Sequence, residues 1–146
     1  MYKRQRISIG NDHAGVDYKK HIQEYIFVND VEVKNYGTDS LESVDYPDFA
    51  HPVSKDVNEE LSDLGILICG SGNGVCMTAN KYKNVRAALC WDKELAILSK
   101  THNNANIVCI PARFVDKELA LEIVKTFISE NFEGGRHERR VNKISK

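Results

Sequence analysis

The chain has 146 residues with 42% hydrophobic content, enough to bury one core in one domain. Twenty Lys and Arg against twenty-one Asp and Glu leave a net charge of −1, which excludes broad binding to nucleic acid or to an anionic membrane surface but permits local cationic patches. The basic start Met1-Tyr2-Lys3-Arg4-Gln5-Arg6 lacks the apolar stretch of a secretory leader, and no run approaches the roughly 20 apolar residues of a spanning helix, so a soluble cytoplasmic protein is expected.

In chain order, Arg6 to Gly10 reads as a first strand. Val16 to Val28, with Ile22, Tyr25 and Ile26 on one face, reads as a helix. Val31 to Tyr36 gives a second strand closed by Gly37, and Asp48 to Ser62 a helix in which Pro52 is tolerable only in the first turn. Leu64 to Cys69, Val85 to Cys90 and Asn106 to Pro111 are strands three to five. Between them fall a short helix from Val75 to Tyr82 and another from Asp92 to about Lys100; Asp116 caps a last helix to about Glu130.

Strands that alternate with helices pair in parallel, so the pattern predicts an α/β fold: a three-layer, doubly wound, Rossmann-like five-stranded parallel sheet of order 2-1-3-4-5 in one domain, residues 1–146. Ligands of such sheets bind beyond the strand C-termini, at the switch point between strands one and three. Those strands end in Asn11-Asp12-His13 and Cys69-Gly70-Ser71.

The densest chemistry lies in Ile68-Cys69-Gly70-Ser71-Gly72-Asn73-Gly74, where a buried strand enters a glycine-rich turn. Three glycines in five residues let successive N–H groups point inward beside a helix N-terminus, an anion cradle that should draw Cys69 towards thiolate. The other cysteines, Cys76, Cys90 and Cys109, show no zinc spacing and read as small buried hydrophobes. Gly70 and Gly72 are followed by Val75 where a dinucleotide fingerprint needs its third glycine, although Asp92 stands where a ribose-binding acid could sit, and no Walker sequence is present. A tight turn without a ligand is the plain alternative.

Near the end, Glu133-Gly134-Gly135-Arg136-His137-Glu138-Arg139-Arg140 sets Arg136 and Arg140 four apart, so that on a helix two guanidinium groups converge on one phosphate; the same run also reads as a solvated basic tail. Arg113, just after strand five, is a third cationic candidate. His102, in Thr101-His102-Asn103-Asn104, reads either as a helix cap or as a site residue, placed by this reasoning on the strand C-terminal rim. His21 and His51 fall within helices as surface residues.

Together with Asp45-Tyr46-Pro47, Ala79-Asn80-Lys81, Arg86-Ala87 and Ala112-Arg113, these blocks span nearly the whole chain, which resembles the type B ribose-5-phosphate isomerases within the wider group that includes galactose-6-phosphate isomerases. The resemblance implies interconversion of ribose 5-phosphate and ribulose 5-phosphate, in the non-oxidative pentose phosphate pathway, through a cis-enediolate with no metal and no cofactor. Cys69 would be the base, since Val75 stands where some relatives carry a glutamate. It implies that Ser71 and Asp12 pass the hydroxyl proton and that His102 opens the ring. His13, Arg113, Arg136 and Arg140, the last two from a C-terminal tail of residues 131–146, would hold the phosphate; Asn103 and Tyr46 would contact the sugar, with Gly70, Ser71, Gly72, Asn73 and Gly74 forming the cradle. A homodimer or homotetramer is implied, its sites shared across the interface, with His102 and the Arg113 region supplied by the partner. Allose 6-phosphate or galactose 6-phosphate could replace the pentose, and a nucleotide-binding module that uses the loop without chemistry is the competing class.

Overall fold

The computed structural model of the protein describes residues 4–145, so Met1 to Lys3 of the basic start lie outside the described residues. In chain order the elements are β1 (Arg6–Asn11), a 3-10 turn (His13–Gly15), α1 (Val16–Val28), β2 (Glu32–Asn35), α2 (Tyr46–Asn58), β3 (Leu64–Cys69), α3 (Asn73–Ala79), β4 (Ala87–Leu89), α4 (Lys93–Thr101), β5 (Ile107–Pro111), α5 (Lys117–Ser129) and α6 (Arg136–Val141). Asp92 and Asp116 cap α4 and α5, each accepting from the N–H three residues on. α2 starts at Tyr46, two residues earlier than its periodicity suggests, so Pro52 lies inside the helix; burial of Ala50, Val53 and Val57 against the sheet offsets the lost backbone bond.

The five strands are parallel, in the order β2-β1-β3-β5-β4 rather than 2-1-3-4-5. The inversion follows burial. Ile107 to Pro111 is wholly buried and takes the inner place beside β3, whereas Ala87-Ala88-Leu89 is only partly buried and takes the outer one. It also redistributes the helices. Right-handed crossovers travelling in opposite directions across a sheet lie on opposite faces, so the return from β4 to β5 carries α4 to the face of α1 and α5 and leaves α2 and α3 on the other.

Each face has its own core. Ile66, Ile68, Ile110, Ile123 and Phe127 lie in the layer under α1, α4 and α5. Leu67, Cys69, Cys109, Val53 and Val75 lie under α2 and α3. Alternation along β3 therefore aims Cys69 at the α2–α3 side. No helix among the described residues is long and apolar enough to cross a membrane.

Candidate active site

Where β1 and β3 end, the chain departs in opposite directions and leaves a crevice. It is a cavity of about 400 Å³, lined by Asp12, His13, Tyr46, Cys69, Gly70, Ser71, Gly74, Arg113 and Phe114. Gly72 sets the loop's shape: at φ +76° it lies in the left-handed region, and a Cβ there would stand 2.5 Å from Leu89. Asn73 then starts α3, with its N–H 3.3 Å from Ser71 Oγ.

Cys69 is 4% exposed. The expectation of an acidified thiol fails: burial pushes Cys69 above the ordinary thiol value, and this outweighs the backbone N–H groups of Val75, Gly72 and Ser71, which favour thiolate. The Asp12 carboxylate adds to the rise. Of the loop's three glycines only Gly72 takes a positive φ, and the donors face a sulfur withdrawn from water.

Around the thiol, Asp12 is nearly buried and accepts from the Ala14 N–H at 2.9 Å. The Val44 N–H donates to His13 Nδ1 at 3.2 Å. That bond assigns the proton of a neutral His13 to Nε2, leaving a donor for a ligand. Arg113 donates its backbone N–H to Gly70 O at 2.9 Å, and its side chain lies over Gly70. Arg113 thus belongs to the same protomer's Cys69 cavity, contrary to the expectation that its region comes from a partner. Phe114, unremarked in the sequence, joins the cavity because it follows Arg113 in the turn after β5.

A second constellation forms elsewhere. His102 closes the C-terminus of α4, donating its N–H to Leu98 O at 3.0 Å. Its ring stacks on that of His137, with centroids 4.1 Å apart and planes at 13°. The Glu133 N–H donates to Thr101 O at 3.0 Å, tying the segment before α6 to the end of α4. The run that holds Arg136 and Arg140 is helical, forming α6, and both arginines are exposed. His137, one residue after Arg136, carries no signal of its own in the sequence. Burial holds it below the usual histidine value, with His102 and Arg136 acting the same way.

These residues are on the opposite rim from Cys69. A crossover helix runs antiparallel to the strands, so its C-terminus lies beside the start of the next strand, and the expectation of His102 on the C-terminal rim is corrected. Asn106 O accepts from Gly65 N–H at the foot of β3, and Asn103 lines a separate cavity of about 600 Å³ with Arg86 and Ile144. With Gly65 level with Ile107 and Cys69 level with Pro111, a rise of about 3.3 Å per residue sets the rims roughly 13 Å apart. One protomer thus carries two sets: Asp12, His13, Tyr46, Cys69, Ser71 and Arg113 at one end, His102, Asn103, Arg136, His137 and Arg140 at the other.

Comparison with known proteins supplies the context. The Ribose/Galactose Isomerase family matches residues 7–144. A probable ribose-5-phosphate isomerase B of Mycoplasma genitalium is 46% identical over 140 residues, 94% of this chain and 92% of that protein. Ribose-5-phosphate isomerase B of Escherichia coli is 40% identical, covering 97% and 95%. Among solved structures, a ribose 5-phosphate isomerase from Thermotoga maritima superimposes with a TM-score of 0.94 at 45% identity, over 98% of this chain and 99% of that one. The Mycoplasma genitalium ribose-5-phosphate isomerase B with bound ribulose-5-phosphate gives 0.94 at 44% identity, over 99% and 96%. With a match that runs almost end to end in sequence and in fold, the chain belongs to the Ribose/Galactose Isomerase family, as a sugar-phosphate isomerase of the ribose-5-phosphate isomerase B type.

Proposed function

We propose that the protein interconverts D-ribose 5-phosphate and D-ribulose 5-phosphate through a cis-enediolate. The observation that carries this reading is Cys69 at the end of β3, beneath backbone donors and within one cavity with Asp12, His13 and Arg113. As thiolate, Cys69 takes the C2 proton of the open-chain aldose. The C–H electrons become the C1=C2 bond, O1 gains a proton, O2 loses one, and Cys69 returns its proton to C1. Asp12 and Ser71 pass the hydroxyl proton between O1 and O2, while the loop N–H groups from Gly70 to Gly74 hold the developing oxyanion. The electrons move only within the substrate, so no redox cofactor or metal is required.

His13 and Arg113 hold the phosphate from the Cys69 side, and Tyr46 contacts sugar hydroxyls. His102 opens the furanose ring, Asn103 contacts the sugar, and Arg136 and Arg140 complete the phosphate clamp. Because these four lie on the far rim of their own protomer, they reach the cavity from a second copy. In a homodimer each protomer then gives one rim to each of two sites. Trp91 and Phe114, 54% and 75% exposed, line an adjoining cavity with Ser71 and form apolar surface near the Cys69 cavity for that contact. A homotetramer would pair two such dimers. Four free cysteines suit a reducing cytoplasm.

The test is conversion of ribose 5-phosphate to ribulose 5-phosphate by the purified protein in EDTA, before and after iodoacetamide. Activity that survives EDTA and is lost on alkylation supports a metal-free thiol isomerase. Inactivity with ribose 5-phosphate but turnover of allose 6-phosphate or galactose 6-phosphate would move the substrate to a hexose. Inactivity with all three would favour the nucleotide-binding module.

A further inference from the structure

We propose that His102, Glu133 and His137 form a site for a divalent transition-metal ion, Zn²⁺ above all, whose occupancy switches the isomerase off. One ring nitrogen of each histidine and a carboxylate oxygen of Glu133 lie within 4.8 Å of one another. Two imidazoles and a carboxylate are a zinc ligand set that leaves a fourth position open to water or a substrate oxygen.

The scaffold suits capture of an ion. Glu133 and His137 are four residues apart, with Glu133 Oε1 3.7 Å from His137 Nε2, and the Glu133 N–H is tied to Thr101 beside His102. Ligands about 2.0 Å from a tetrahedral ion stand about 3.3 Å apart, so the three must close by about 1.5 Å at most, and the two imidazoles, stacked with their planes at 13°, must turn out of the stack for both lone pairs to meet one ion. The exposed Glu133 side chain and rotation of the partly buried His102 ring can supply those movements. So can the Gly134-Gly135 turn, where both φ are positive (73° and 61°) and a Cβ would meet nothing within 4 Å. Coordination needs both imidazoles neutral, so capture of the ion should strengthen as pH rises. Arg136 and Arg140 oppose a cation and the Glu133 carboxylate offsets one of them, so binding should be reversible rather than permanent.

The switch rests on the ring-opening reading of His102: an ion that holds the imidazole lone pair removes the group that exchanges a proton with the ring oxygen. Zn²⁺ should therefore inhibit turnover of the cyclic sugar phosphate and be reversed by EDTA. The binding half stands without that reading.

The experiment titrates Zn²⁺ calorimetrically into the whole protein and into its Glu133→Gln and Cys69→Ser variants. It adds Co²⁺ absorption spectra and zinc inhibition of each active form relative to its own zinc-free rate. One ion per protomer is expected, equally in the Cys69→Ser protein, with cobalt bands free of thiolate charge transfer. Loss of an outer-shell partner alone weakens metal sites about 10–100-fold, so Glu133→Gln should cost at least about tenfold in affinity and relieve inhibition to match. Absent binding, undiminished affinity in Glu133→Gln, or binding that vanishes with Cys69→Ser and shows thiolate charge transfer would overturn the site. Binding as expected without inhibition would overturn the switch, and with it the role of His102 in ring opening, while the metal site remained.

Discussion

The Tyr46 ring occupies the place that a side chain at Gly74 would need: a Cβ there would stand 2.5 Å from Tyr46 Cζ and 2.6 Å from Cε2. Gly74→Ala should therefore expel the ring from the cavity. Tyr46 is 41% exposed and free to swing outward, so the cost to the fold should fall at or below the roughly 1–3 kcal/mol typical of overpacking, partly offset by alanine's better helix propensity. A several-fold rise in KM with little change in Tm is the expected result, read by steady-state kinetics and thermal melting. An unchanged KM would remove Tyr46 from the substrate contacts.

Because burial pushes Cys69 upward, little of it is thiolate at neutral pH, and the fraction grows about tenfold per pH unit below its pKa. kcat/KM should thus climb between about pH 6 and pH 9, with the rate of iodoacetamide inactivation in parallel. A profile flat from neutrality upward would mean that substrate or a partner's arginines restore an acidified thiol. Cys69→Ser should lose at least the roughly 100-fold that general-base catalysis contributes.

Stability should move the other way. Burial raises Cys69 and Cys109, and pushes Cys90 up to about 11; Cys76, hydrogen-bonded by Cys109, is lowered. A thiol with a raised folded pKa contributes stability that is complete below its unfolded value, about 8.5, and is lost as pH rises through the folded one. In that window the unfolded chain binds fewer protons, so three cysteines against one lower the unfolding free energy with rising pH. Melting temperature should fall above about pH 8.5, and Cys90→Ala should flatten the slope.

If each site draws on both protomers, two inactive proteins should repair each other. Cys69→Ser lacks the base at one rim and Arg140→Ala lacks a phosphate ligand at the other. After unfolding together and refolding, random pairing makes half the dimers mixed, each with one intact site of two, so about a quarter of the sites should recover. No recovery on mixing would mean that one protomer builds its site alone.

The alternation of strands and helices and the cysteine at the β3 turn were legible because they depend on local periodicity and on glycines that only a turn explains. The place of β5 was not. Which of two neighbouring strands lies inside depends on how completely Ile107 to Pro111 and Ala87 to Leu89 are covered, a tertiary property. The direction of the Cys69 shift was hidden for the same reason, since Cys69 is buried in a cluster with Val53 of α2 and Val75 of α3. The far-rim position of His102 was accessible in principle, because a helix that ends before a strand must end at that strand's foot. Its stacking on His137 was not, since it joins segments about 35 residues apart in sequence.

The order β2-β1-β3-β5-β4 leaves only short outer strands, three residues in β4 and four in β2, the latter bearing Glu32 and Lys34. So little free backbone, partly charged, gives an incoming strand almost nothing to pair with, which guards against fibrillar growth when the chain is crowded. Any contact between copies of this protein would then run through side chains, and contacts of that kind can select one orientation and stop at a closed pair.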